Sequence, residues 1–409
     1  MNRREVKRAP VLRFKGFTND WEQRKLGTAI KIIKDKNKNQ HSYRAFSISN
    51  IKGFIAQDEQ FGKDNTYSKT DKSTNYIVKP GMFAYNPARI NVGSIAYQNQ
   101  TEPVLVSSLY EIFQTNSKID DSFLMNWFKT SLFNRQIKRL EEGGVRQYFF
   151  IDKMKETEIK LPSISEQNQI SKLLQLVNKN LDLQQRKLEL LKLFKIGMLQ
   201  NILADTKAAS KLKFNGSNQE WRPRRLNSIT NIITKGTTPH FKQASNGVNF
   251  IKIEDISKDN GKIYPRSFIT EKENNGYLKR SQLKAGDLLF SIAGTLGRVG
   301  KVTDDILPAN TNQALAIIRL KPSQNIDFCK IMLESDSVKR YIHANPTMGA
   351  QPNLSLKQIS DLTLFFPDIK EQTLISQLIK KIDNLLALQY QNISKFKQLK
   401  QFLLQNIFI

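Results

Sequence analysis

Pro162-Ser163-Ile164-Ser165-Glu166-Gln167, continuing through Ile170-Ser171 to Leu199-Gln200-Asn201-Ile202, returns near the end of the chain as Pro367, Glu371-Gln372, Ile375-Ser376 and Leu404-Gln405-Asn406-Ile407. Between these bounds apolar residues recur at alternating spacings of four and three. The first copy reads Ile170, Leu174, Val177, Leu181, Gln184, Leu188, Leu191, Lys195, Met198, Ile202. The second reads Ile375, Ile379, Ile382, Leu386, Gln389, Ile393, Phe396, Lys400, Leu403, Ile407. Eight of ten positions are apolar in each copy. So narrow a stripe, held over several heptads, is the pattern of a coiled-coil helix. A helix lying on a globular core needs a broader apolar face. The interruptions coincide, Gln184 with Gln389 and Lys195 with Lys400. Polar seam residues reduce stability but select register and partner, so these four are the candidate register residues. In an antiparallel pair the two glutamines would sit near the helix midpoints, close to a two-fold axis.

The repetition extends outward from these helices. Leu12-Arg13-Phe14-Lys15-Gly16, followed by Trp21, Arg24, Lys25 and Leu26, returns as Leu212-Lys213-Phe214-Asn215-Gly216, followed by Trp221, Arg224, Arg225 and Leu226. A period of roughly 200 residues is far beyond the 20–50 of a solenoid unit and describes a duplicated domain. The globular stretches mix strand-like runs with turn signals, as in Tyr76-Ile77-Val78 before Lys79-Pro80-Gly81 and Asp287–Ile292 after Ala285-Gly286. Helical patterns cover Phe123–Leu140 and Phe328–Ile342. The expected fold class is α+β: two similar globular domains of mixed α/β content, joined by two long helices in an antiparallel coiled coil with pseudo-two-fold symmetry. The expected boundaries are a tail over 1–11, domains over 12–161 and 212–366, helices over 162–206 and 367–409, and a linker over 207–211.

Sixty-four Lys and Arg stand against 37 Asp and Glu in 409 residues, a net charge of +27. Such an excess favours a polyanionic partner, since each neutralised phosphate releases condensed counterions. A membrane-surface binder would concentrate its charge on one amphipathic helix, whereas here both halves are basic. No apolar run approaches the roughly 20 residues needed to cross a bilayer, so no membrane partner is expected. Met1-Asn2-Arg3-Arg4-Glu5 is basic with no apolar segment after it, and Cys329 is the only cysteine. Both point to a cytoplasmic protein.

The motifs of catalysis do not assemble. His41, His240, His343 and Cys329 lack metal-ligand spacing. Gly294-Thr295-Leu296-Gly297-Arg298-Val299-Gly300-Lys301 resembles a phosphate cradle, but its spacing is wrong and Val302 stands where magnesium needs Ser or Thr. Asn86-Pro87-Ala88-Arg89 resembles the Asn-Pro-Pro-aromatic motif of DNA amino-methyltransferases, without the second proline or the aromatic. Glu158-Ile159-Lys160 has a nuclease-like E-x-K shape, but its counterpart is Thr363-Leu364-Phe365. No catalytic, metal or cofactor residue is therefore assigned.

What these segments share is their place in the repeat. Pro80-Gly81 aligns with Ala285-Gly286, and Val92-Gly93 with Val299-Gly300. Between them lie Asn86, Arg89 and Asn91 in one copy and Ser291, Thr295 and Arg298 in the other. A second pair follows Gly144 and Gly349: Arg146-Gln147-Tyr148 against Gln351-Pro352-Asn353. Arg, Asn, Gln and Thr are the side chains that read base edges in the major groove. Matching frameworks with different polar sets suggest two readers of different preference. Arg44, Lys235, Thr237, Thr238 and His240 complete the candidate DNA-binding set. A helix of roughly 48 Å from Ile170 to Ile202 is long enough to hold two readers one DNA turn, about 34–36 Å, apart.

In this order the framework resembles the specificity subunit of type I restriction-modification systems. The residues carrying the resemblance are Trp21 and Trp221, Lys235-Gly236-Thr237-Thr238-Pro239, Gly286-Asp287-Leu288-Leu289-Phe290, Gly294-Thr295-Leu296-Gly297 and Asn353-Leu354-Ser355. The Pro-x3-Glu-Gln and Leu-Gln-Asn-Ile ends of the helices complete it. The resemblance covers about 12–409. It implies two target-recognition domains, each reading half of a split asymmetric site in double-stranded DNA, and an antiparallel coiled coil that sets the unread spacer. It also implies docking of two methyltransferase subunits and, optionally, two ATP-dependent restriction/translocase subunits. S-adenosylmethionine, ATP and magnesium then belong to those partners and no cofactor to this chain. The first half departs from the pattern, with Asp35-Lys36-Asn37 in place of Lys235-Gly236-Thr237 and Tyr85-Asn86-Pro87-Ala88 in place of Phe290-Ser291-Ile292-Ala293. The competing readings are a stand-alone DNA methyltransferase with its own recognition unit, which would bind S-adenosylmethionine, and a coiled-coil RNA-binding protein, for which duplex RNA would compete as well as DNA.

Overall fold

The computed structural model describes residues 9–61, 72–141, 147–203, 220–240, 246–345 and 353–409. Arg146, Gln351, the glycines before them, the Leu212–Gly216 repeat and the expected linker lie outside the described residues. The chain divides into two units: Met1–Gln185 with Gln391–Ile409, and Arg186–Tyr390.

Unit 1 runs β1 (Glu22–Lys25), β2 (Ile30–Ile33), β3 (Phe46–Ser49), β4 (Gly53–Ala56), α1 (Gln57–Phe61), β5 (Tyr76–Val78) and β6 (Met82–Tyr85). It continues with β7 (Ile95–Tyr97), β8 (Val104–Val106), β9 (Glu111–Thr115), α2 (Asp121–Trp127) and α3 (Ser131–Leu140). It then runs α4 (Ile151–Glu156), β10 (Glu158–Leu161) and the first half of α5 (Ile164–Ile202). Its main sheet is antiparallel in the order β2-β9-β6-β7, with a separate β1-β10 pair. The central strand β6, Met-Phe-Ala-Tyr, is buried throughout, as an apolar run covered on both faces should be. Phe83 stacks on Phe113 of β9 with centroids 5.0 Å apart.

Unit 2 contains the rest of α5, then β11 (Arg222–Arg225), α6 (Leu226–Ile229), β12 (Thr230–Lys235), β13 (Val248–Ile251), β14 (Phe268–Ile269) and α7 (Glu271–Asn275). Next come β15 (Leu288–Ser291), β16 (Val299–Lys301), β17 (Ala309–Thr311), β18 (Leu315–Leu320), α8 (Ile326–Leu333) and α9 (Asp336–Ala344). The unit closes with α10 (Leu356–Ser360), β19 (Thr363–Phe366) and the first part of α11 (Ile369–Ile407). The sheet β12-β18-β15-β16 and the pair β11-β19 repeat the unit 1 framework strand for strand. The additions differ: unit 1 carries hairpin β3-β4 and pair β5-β8, while unit 2 carries β14-β13-β17, whose β13 and β17 run parallel.

Both helical patterns are helical, each in two pieces. Phe123–Leu140 is not one helix but α2 and α3, and Phe328–Ile342 is α8 and α9. The breaks fall at Thr130 and Ser335, whose hydroxyls accept the backbone N–H of Phe133 and Val338 and start a new helix. Apolar spacing continues across the break because both short helices face the same core.

The long helices begin with the Glu-Gln motif for a local reason. Gln167 accepts the Asp120 N–H at 2.8 Å and donates to Pro162 O at 3.0 Å, and Ser171 donates to Asp120, the N-cap of α2, at 2.5 Å. In unit 2, Gln372 donates to Pro367 O at 2.9 Å, and Ser376 reaches Asn325, the N-cap of α8. The motif thus ties each long helix to the helix pair of its own unit. The seam is as expected. In unit 1, Ile170, Leu174, Val177 and Leu181 share a core with Leu403, Leu404 and Ile407. In unit 2, Leu188, Leu191, Met198 and Ile202 share one with Ile375, Ile379, Ile382 and Leu386. Within each unit the beginning of one helix meets the end of the other, so the pairing is antiparallel.

Candidate nucleic-acid interface

The strand β6 ends in the Asn86–Ser94 connection, and the segment after α3 is pinned to it. Phe149 N donates to Pro87 O at 3.0 Å, and the Tyr85 hydroxyl donates to Phe149 O at 2.9 Å. Burial pushes the Tyr85 hydroxyl far above the ordinary phenol range, so it stays a donor. This brings Asn86, Arg89 and Asn91 together with Gln147 and Tyr148. Asn86 closes its own turn by accepting Ala88 N at 3.0 Å, which leaves Arg89 and Asn91 exposed beyond it. Tyr148 stacks on Phe150 with centroids 5.4 Å apart and planes 7° apart. Phe150 is 46% exposed, an aromatic face the sequence reading passed over.

Unit 2 makes the same junction, with Leu354 N donating to Ile292 O at 2.8 Å and Asn353 bridging Ala293. Thr295 and Asn353 are exposed there. Ser291 is not free to read bases as expected, and Arg298 is partly committed to the loop. Ser291 is fully buried, donates to Thr295 O at 2.5 Å and accepts Arg298 N at 2.7 Å. Half-buried Arg298 donates through Nη1 to Ile253 O and Ile256 O, at 2.8 and 3.2 Å. Both shape the loop. The alignment of Val92-Gly93 with Val299-Gly300 also shifts. Strand register sets Ile95 opposite Tyr85 and Val299 opposite Phe290, so Ala96 corresponds to Gly300. Gly93 corresponds to Gly297, both left-handed at φ +89° and +78° just before the return strand.

The Lys235–His240 run forms a second cluster. Lys235 ends β12 exposed, Thr237 accepts from Arg280 at 3.2 Å, Thr238 donates to Gln313, and His240 packs on Tyr277 at 3.9 Å. Gly236 is obligatory because a Cβ there would lie 2.1 Å from Thr311 O. The divergent first half is visible at the same framework position: Asn37 is buried and brackets His41 with bonds of 2.9 and 3.1 Å. Arg44 is exposed but paired with Asp58 and Glu59 at 2.7 and 2.8 Å, so its charge is locally balanced.

Both halves of the chain, residues 18–193 and 218–398, match the model of the type I restriction modification DNA specificity domain. The chain belongs to that family. It is 24% identical over 399 residues to the MjaVIII type I restriction enzyme specificity subunit of Methanocaldococcus jannaschii, covering 93% of this chain and 90% of that one. It is 26% identical over 175 residues to the EcoBI specificity subunit of Escherichia coli, covering 41% and 35% of the two chains. In fold it resembles the type I S subunit of M. genitalium, with TM-score 0.59 at 14% identity over 98% of this chain and 99% of that one. It also resembles a chain from a type I R-M assembly, with TM-score 0.61 at 15% identity over 96% and 98%.

For a specificity chain the remaining chemistry is spare. Among the described residues no group of His, Cys, Asp and Glu could hold a metal, and no helix is long and apolar enough to cross a membrane. Cys329 is buried in the unit 2 core, where desolvation pushes its thiol up to about 12. Of the register residues, Lys195 pairs with Asp383 at 2.6 Å within unit 2, Gln389 is buried and Gln184 half-buried. Lys400 faces a cavity of about 870 Å³ in unit 1. Both long helices also expose large apolar residues off the seam, including Leu176, Leu183 and Leu190 at seven-residue spacing on α5 and Leu385, Leu388, Leu399 and Phe402 on α11.

Proposed function

We propose that this specificity chain is a non-catalytic reader of double-stranded DNA in which each unit recognises one half of a bipartite asymmetric site. One observation carries the reading: the two units share a framework that pins the loop after the central strand to the segment before the long helix. On that face they carry different side chains. Unit 1 presents Asn86, Arg89, Asn91, Gln147 and Tyr148; unit 2 presents Thr295 and Asn353, with Lys235, Thr237, Thr238 and His240 in a neighbouring cluster. A shared scaffold supplies common docking geometry, while amide, hydroxyl and guanidinium groups discriminate base edges at about 1–3 kcal/mol per good bidentate pair. The net charge of +27 supplies the sequence-independent part of the affinity.

The helices set the length of unread DNA between the half-sites, with Gln184, Lys195, Gln389 and Lys400 holding register. Two methyltransferase subunits dock through apolar helices on the exposed leucine rows, which a solitary helix pair in water would not retain at heptad spacing. The methyltransferases bring S-adenosylmethionine. Two ATP-dependent restriction/translocase subunits, where present, bring ATP and magnesium. Co-expression with a type I methyltransferase subunit, followed by mapping of methylated adenines across a genome, tests the whole reading. The expected result is two short half-sites separated by a constant number of indifferent bases. A single uninterrupted motif would refute the two-reader arrangement.

A further inference from the structure

The cavity of about 870 Å³ in unit 1 is walled by the β3–β4 hairpin, by Asn91, Val92 and Gly93, by α2 with its connection to α3, and by α11 at Lys400. Lys52, Lys129 and Lys400 line it, against one carboxylate, Asp121. That carboxylate is already engaged by the hydroxyls of Thr115 and Tyr97. Lys129 is solvent-exposed within the concavity and Lys400 is half-buried in the seam. Neither has an ion-pair partner among the described residues. Although water reaches its side chain, the walls of the concavity desolvate Lys129, and this, followed by the charge of Lys400, pulls its ammonium below the ordinary lysine range. Burial does the same to Lys400, with Asp182 opposing.

The duplicated architecture provides an internal control. Cap matches cap between the units, Asp120 with Asn325 and Thr130 with Ser335. This sets Lys129 against Glu334 and Met125 against Lys330. The helix repeat sets Lys400 against Lys195 and Asn178 against Asp383. In unit 2 every cation at these positions is neutralised, Lys330 by Glu334 at 2.7 Å and Lys195 by Asp383 at 2.6 Å, beside a smaller cavity of about 340 Å³. In unit 1 both carboxylates are gone, and one of them is replaced by a second lysine. Two like charges facing a partly desolvated space are unfavourable for folding alone. The missing negative charge is what a ligand would supply.

We infer that this cavity binds a phosphate group between the ammonium groups of Lys129 and Lys400, with Lys52 at its rim. Asn91 shares its wall, so the source that fits is a backbone phosphate of the half-site held by unit 1; in that form the inference rests on the DNA-reading function proposed above. A phosphate carries no base identity, and the contact would position the unit on the duplex rather than select its sequence. Free phosphate would use the same groups, and the two sources are separable.

The test uses the full chain and two variants, the double Lys129→Gln/Lys400→Gln and the single Lys129→Glu. Inorganic phosphate, compared with chloride at equal ionic strength, is expected to raise the wild-type melting temperature and leave both variants unmoved. Lys129→Glu is also expected to melt higher than wild type without phosphate, because it replaces the like charge facing Lys400 with a carboxylate; lysines that serve the fold would show the reverse. With the methyltransferase present, the slope of log affinity for the mapped DNA site against log salt should fall by about 0.9 in the double variant, at unchanged sequence preference. A phosphate response surviving in both variants, or absent from wild type with an unaltered salt slope, overturns the site while DNA reading stands. A lysine-dependent phosphate response in a chain that recognises no DNA keeps the site as a free-anion site and removes the DNA-reading function instead.

Discussion

Arg13 makes a two-pronged contact with Glu166, Nε and Nη2 each 2.8 Å from a carboxylate oxygen, with Glu166 only 1% exposed. The pair anchors the segment before β1 to the first turn of α5, where Leu12 N also donates to Asn406 O at 3.0 Å. Removing one member of a buried pair strands the other charge. Arg13→Ala should therefore destabilise unit 1 by about 3–5 kcal/mol. Arg13→Lys should recover only part, since a single ammonium cannot span both oxygens. Urea unfolding followed by fluorescence reports this directly, as Trp21 and Trp127 are both buried in unit 1; a loss below about 1 kcal/mol would mean that the pair is as weak as a surface one. At this scale the sequence was only half readable. Arg89, Asn91 and Thr295 are exposed and Asn86 is half-buried, but Ser291 is fully buried and Arg298 lends its Nη1 to backbone carbonyls. A hydroxyl or a guanidinium looks the same in sequence whether its partner is a base or a backbone carbonyl.

The two 39-residue helices show where pattern suffices. A stripe at four and three spacing can serve only one face of a helix, and every seam residue of α11 is buried or half-buried. Pattern did not mark the breaks at α2–α3 and α8–α9, where a single threonine or serine cap restarts the helix without disturbing the apolar spacing. It also missed the exposed leucine rows, which lie beside the seam rather than in it. The two rows separate stability from assembly. Leu174→Ala, at a fully buried seam position, should cost about 2–5 kcal/mol in unfolding. Leu176→Glu, two residues away and 59% exposed, should leave the melting temperature close to wild type and abolish co-purification with the methyltransferase. Normal complex formation by that variant would move the docking surface elsewhere.

For the whole molecule, the duplication makes a prediction in base pairs. Deleting one heptad from each long helix keeps the seam on the same face and shortens each by about 10 Å at about 1.5 Å per residue. At about 3.4 Å per base pair, methylation mapping should find the same half-sites with a spacer shorter by about three. Deleting two residues from each helix instead rotates the seam by about 200°, at about 100° per residue, turns it away from its partner and should abolish recognition. An unchanged spacer after the heptad deletion would separate the helices from the measurement of DNA.

The sequence alone determined the duplication, the long amphipathic helices, the mixed composition of each unit and the excess of positive charge, because these reside in periodicity, order and summed charge. The tertiary structure decided which polar groups remain available. Glu334 and Lys129 occupy one framework position, yet one is neutralised by a lysine a turn away and the other faces an open cavity. Whether a charge is balanced or offered depends on neighbours distant in the chain, and only folding brings those neighbours within reach.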